Sequence, residues 1–154
     1  MATGTIILPL LGMVPDGTNP PDLEFASGTL RPYWAFDGGS VTESGIWTFQ
    51  MPGDYSSGLT ANLIWSGSSS TTTSHTAQWQ ISVMALTPET DSVATDTDSY
   101  DTANTGADDI LGTTASRPQA LSISLTNDDS VTADDYVAIQ IERDPTVGVD
   151  DLPI

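Results

Sequence analysis

The sequence predicts an all-β protein, an antiparallel β-sandwich of jelly-roll type with an extended N-terminal arm. Three observations carry that expectation. The segments GIWTFQM, TAQWQISVMAL, QALSISLTN and YVAIQIERD alternate apolar and polar residues with a period of two, which is the mark of a half-buried strand. No segment sustains the 3.6-residue apolar period of an ordinary amphipathic helix. The alternating runs are short and are divided by clusters of Gly, Pro, Ser and Asp, the punctuation of sheet proteins. An immunoglobulin-like sandwich is the second arrangement compatible with this pattern.

At 154 residues the chain is the size of one domain with tails and is long enough to bury a continuous core. We divide it into residues 1–24, an arm or edge strand, and residues 25–154, the sandwich. With no cysteine, disulfides, cysteine-based zinc sites and thiol nucleophiles are excluded. The charge is unusual: 21 acidic residues stand against three arginines (Arg31, Arg117, Arg143) and no lysine, for a net charge of -18. Binding DNA or RNA needs cations that displace counterions from phosphates, so no nucleic-acid partner is expected. Acidic chains are often disordered, but 38% hydrophobic residues and four tryptophans supply a core that such chains lack. The run TIILPLLGMV has no basic residue before it and is broken by Pro9, so a signal peptide is not expected. No segment approaches the roughly 20 apolar residues of a membrane helix, and no membrane partner is expected.

Along the chain, residues 1–24 are apolar and then rich in Pro and Gly, without a sustained period. They read as an extended arm, or alternatively as a first edge strand and a loop. A short strand is expected through Tyr33, Trp34, Ala35 and Phe36, closed by the turn Asp37-Gly38-Gly39. In GIWTFQM the residues Trp47, Phe49 and Met51 share one face, and Ile46, Thr48 and Gln50 the other. PGDYSSG interrupts with turn chemistry, and LTANLIWS resumes with Ala61, Leu63 and Trp65 inward, so that both strands face one core. After the polar loop GSSSTTTSH, the longest strand places Ala77, Trp79, Ile81, Val83 and Ala85 on one side. Residues 87–109 are an acidic excursion, expected to be a loop with a short strand near Tyr100. QALSISLTN turns Leu121, Ile123 and Leu125 inward, and YVAIQIERD does the same with Val137, Ile139 and Ile141, the two forming a hairpin-like pair.

No catalytic signature emerges, and the protein is expected not to be an enzyme. His75, the single histidine, lies in a Ser/Thr-rich loop without a nucleophile-elbow pattern, and a role in hydrolysis is not expected of it. Asp96, Asp98, Asp101, Asp108 and Asp109 offer hard oxygen ligands. An EF-hand begun at Asp96 would need glycine where Asp101 stands and glutamate where Ala107 stands, so a solvated acidic loop is the preferred reading over a calcium site. No cofactor is expected. Trp47, Phe49, Leu63, Trp65, Trp79 and Ile81 fall in phase with their strands and are assigned to the core; exposed on one sheet, the same aromatics would make a sugar-stacking platform.

The stretch FDGGSVTESGIWTFQMPGDYSSGLTANLIWS followed by TAQWQISV resembles a pattern in small structural proteins of tailed bacteriophages. There an "FDG…E" turn precedes an aromatic strand, an "MP-x-DY-x-x-G" turn, a strand ending W-S or W-T, and a "W-x-I" strand. The likeness spans about residues 35–85, and more loosely the QALSISLTN and DYVAIQIERD strands. It implies a jelly-roll decoration (cement) protein, a homotrimer on the outer surface of the virion that binds the major capsid protein. A tail-fibre receptor- or carbohydrate-binding module is the alternative. An acidic protein suits the outside of a shell filled with DNA. The arm residues Ile6, Ile7, Leu8, Leu10 and Leu11 are then the candidate partner-binding residues, engaging a neighbour by strand addition.

Overall fold

The computed structural model describes residues 4–37, 41–67, 76–91, 99–109, 117–144 and 152–153. They form ten strands: β1 (Val14–Pro15), β2 (Asp22–Phe25), β3 (Pro32–Phe36), β4 (Ser44–Gln50), β5 (Leu59–Trp65), β6 (Thr76–Leu86), β7 (Asn104–Asp109), β8 (Gln119–Leu125), β9 (Tyr136–Arg143) and β10 (Leu152–Pro153). A single 3-10 turn, Leu10–Gly12, precedes them. Among the described residues there is no α-helix, and every strand pairing is antiparallel.

Three sheets result. The largest has the order β1-β4-β9-β6-β7, a second has β10-β3-β2, and the third is the pair β5-β8. The pairings are nested. β6 pairs with β7, β5 with β8 around them, and β4 with β9 outside both. The chain is thus one long two-stranded ribbon bent back on itself, and the pairing of β6 with β9 closes the bend. At the crossing from the outer to the middle pair the ribbon stays hydrogen-bonded: Met51 N donates to the Asp135 carbonyl at 2.8 Å, and Asp134 N donates to the Met51 carbonyl at 3.2 Å.

β8 and β9 therefore do not form the expected hairpin; each pairs with a strand from the first half of the chain. The acidic turn between them explains why. Asp129, Ser130 and Asp134 take positive φ values of 54°, 57° and 70°, conformations that Asp tolerates better than most residues and that swing the chain to the opposite layer. The carboxylate of Asp135 holds this turn, accepting from Thr132 N at 2.7 Å and from Thr132 Oγ1 at 3.0 Å. The strand expected near Tyr100 lies further on, at Asn104–Asp109. Its aspartates sit beside hydrogen-bond partners: Asp108 accepts from Gln119 Nε2 and Asp109 from Thr76 Oγ1, so acidic residues do not prevent pairing here.

The β5-β8 pair packs on the inner face of the five-stranded sheet, an arrangement consistent with a β-sandwich. Trp79 and Phe36 are fully buried with their rings edge to face at 5.2 Å, and Trp65 meets Trp79 at 6.3 Å. Ile81, Val83, Val137 and Ile141 of the large sheet and Ile123 and Leu125 of β8 complete the centre. Gly106 lets the layers approach: a Cβ there would lie 2.6 Å from Ile123 Cγ1. Tyr100 is half-buried, and burial, more than the Tyr136 and Glu142 side chains of β9, raises its phenol above the ordinary value.

Candidate functional site

The inner pair has two strands against five, so it covers only part of the large sheet. Over the β4 and β9 half an apolar groove of about 790 Å³ remains between the layers. Trp47, Phe49 and Met51 of β4 with Ile139 and Ile141 of β9 form one wall, β5 forms the other, and residues 4–8 of the arm run along the opening. The alternation read from GIWTFQM and YVAIQIER is what turns these side chains inward. Asp54 is the one carboxylate in the lining among the described residues. Beside it, burial raises the Tyr55 phenol above its ordinary value, and Asp128 adds to the effect.

The arm is pinned at one point. The indole N–H of Trp47 donates to the Pro9 carbonyl and that of Trp34 to the Leu10 carbonyl, both at 2.9 Å. The 3-10 turn forms at the same place, with Gly12 N donating to Pro9 O at 2.9 Å and Met13 N to Leu10 O at 3.3 Å. Met13 is buried against Gly45, where a Cβ would come within 2.4 Å of its sulfur. Val14 and Pro15 then pair with Ile46 and Gly45.

Of the five arm residues singled out from the sequence, Ile6, Ile7 and Leu11 are exposed, and Leu8 and Leu10 are half-buried. Ile6, Ile7, Leu8 and Leu10 line the groove and Leu11 does not. Trp34, Trp65 and Trp79 are buried, and Trp47 is half-buried against the core. His75, Asp96 and Asp98 lie outside the described residues. Asp101 accepts a hydrogen bond from Asp129 N, and no cluster of three or more His, Asp or Glu able to hold a metal ion occurs among the described residues.

Two structural features escaped the sequence reading. Trp34 proves to be an anchor for the arm, a role that only the spatial meeting of β3 with Leu10 reveals. Arg143 is buried at the end of β9 and donates to the Asp37 carbonyl, beside Glu43, whose carboxylate accepts from Asp37 N at 2.6 Å. The phase Val137, Ile139, Ile141 extends to position 143, so the signal for an inward arginine was present.

No protein-family model matches the chain, and neither a curated protein nor a solved structure matches it.

Proposed function

We propose that the protein is a non-enzymatic structural component of a tailed-phage virion, a trimeric decoration protein that binds the outer surface of the head and braces the major capsid protein lattice. The observation that carries this reading is the arm. Residues 1–15 contain no charged side chain, yet they belong to a chain of net charge -18, and Ile7 and Leu11 are 84% and 67% exposed. Apolar surface left uncovered on so acidic a protein is suited to a protein partner that covers it. The nested strand pairs support the jelly-roll assignment, since a ribbon rolled into two layers is the topology of two Greek keys. Burial of Trp34, Trp65 and Trp79 favours the decoration role over a sugar-stacking platform.

The test is binding to purified heads that lack their outer proteins. The full chain is expected to saturate at hundreds of copies per head. The variant Leu11→Asp, altered at a single exposed site, should fold normally and not bind. Saturation at a handful of copies would point to a fibre or tail part, and no binding by the full chain would overturn the proposal.

A further inference from the structure

Among the described residues the edges of the sheets are protected, with one exception. β1 and β10 are two residues long and contain Pro15 and Pro153; β2 carries Asp22 and Glu24; β7 carries Asp108 and Asp109. Each is a device that discourages another strand from adding to an edge. β8 leans on β7 and is tied to it at both ends, by Gln119 Nε2 donating to the Asp109 carbonyl at 2.8 Å and by Asn127 N donating to Asn104 Oδ1 at 3.0 Å. β5 has none of these features. Its sequence LTANLIW holds no charge, proline or glycine, and among the described residues nothing pairs with the edge it turns away from β8. That edge borders the apolar groove, and Ile64 near its end is 60% exposed.

We propose that the edge of β5 left unpaired among the described residues accepts residues 4–8 of a second copy of this chain as an added strand, so that the arms are exchanged in a closed homo-oligomer. The donor has the required chemistry. Thr5, Ile6 and Ile7 are β-branched, and the segment belongs to no helix or strand and makes no backbone hydrogen bond to β5 of its own chain. It leaves a fixed point, since Pro9 and Leu10 are held by Trp47 and Trp34. Charge selects the meeting place: copies of net charge -18 repel one another, and residues 1–15 and 55–67 are both free of charged side chains. Exchange covers Ile6 and Ile7 and pairs the backbone of β5 in one step, and each copy acts as both donor and acceptor. The inference deepens the self-association within the proposed function, and its test uses purified protein without heads, so either can fail while the other stands.

The absence of cysteine permits a direct test. Single variants Thr5→Cys, Ile6→Cys and Ile7→Cys are each mixed with Thr60→Cys, Asn62→Cys or Ile64→Cys and oxidised. Disulfide-linked pairs joining one arm variant to one β5 variant are expected, for positions alternating along the arm. Light scattering should give an oligomer for the unmodified chain, and a monomer both for the chain lacking residues 1–8 and for Ile64→Lys. A monomeric unmodified chain, an oligomer that survives loss of residues 1–8, or a doubly substituted chain that closes its disulfide internally would each overturn the proposal.

Discussion

Trp79 meets Phe36 edge to face, with ring centroids 5.2 Å apart and planes at 82°, and neither side chain is exposed to solvent. The contact joins the middle of the large sheet to β3 of a separate sheet, and Trp65 approaches Trp79 from β5. All three sheets therefore converge on one indole. Trp79→Ala is expected to lower the stability to chemical denaturation by about 3–5 kcal/mol, the usual cost of emptying such a site. A variant as stable as the parent would show that these sheets do not share a core.

Gly106 tests the spacing of the layers. Gly106→Ala forces a methyl group toward Ile123, whose branched side chain is itself buried, and a loss of about 1–3 kcal/mol is expected from the overpacking. Adding Ile123→Ala, which removes the opposing atoms, should cost less than the sum of the two single changes, measured by a double-mutant cycle. Strict additivity would place the two residues out of contact.

The arm anchor is separable from the fold. Replacing the half-buried Trp47 by Phe keeps an aromatic ring against the core and removes one indole donor, worth about 0.5–1.5 kcal/mol. Limited proteolysis should then cut within residues 1–12 faster, while the melting transition of the remainder shifts only slightly. Unchanged cleavage would mean that Trp34, Met13 and the β1 pairing hold the arm without it.

Stability should rise on mild acidification. Burial is the largest cause raising the Glu43 carboxyl above its ordinary value of 4.5, and the same holds for Glu142, where Asp16 adds repulsion. For both, the ionised form is disfavoured in the folded state, so folding binds protons. Their destabilising effect is present above the raised pKa and is relieved as pH falls through it toward 4.5, with no further gain below. The net charge of -18 acts in the same direction. The melting temperature is expected to increase from pH 7.5 to about pH 5, and salt at pH 7.5 should reproduce part of the gain. A melting temperature that falls over this range would contradict both assignments.

Strand phase was legible in the sequence wherever an alternating run faced the core. Trp47, Phe49, Met51, Ala61, Leu63, Trp65 and the inward residues of β6, β8 and β9 all point as the period of two indicates. Pairing was not legible, because a period says which face is buried and nothing about which strand lies alongside. The turn 126–135 looked like a hairpin connection, and its positive-φ residues carry the chain to the other layer instead. β7 was obscured by its own composition: NTGADD lacks large apolar residues because β8 comes close over Gly106. The groove was invisible for a related reason. It exists because two strands oppose five, a count set by pairing, whereas the apolar character of the arm that borders it could be read directly.

The nested pairing also dictates an order of events during folding. The outer pairs, β4 with β9 and β3 with β10, join segments far apart in the chain, and these can meet cheaply only after the inner pairs have shortened the path between them. A chain dominated by such distant contacts folds in milliseconds to seconds, at the slow end of the range for small domains. Pairing is expected to begin with the innermost pair, β6 with β7, and to propagate outward until β9 docks on β6. Residues 4–8 lie outside every strand pair and take their anchor from Trp34 of β3 and Trp47 of β4, so the arm is expected to be positioned last. Each newly made copy thus completes its sandwich before its arm is in place to engage anything else.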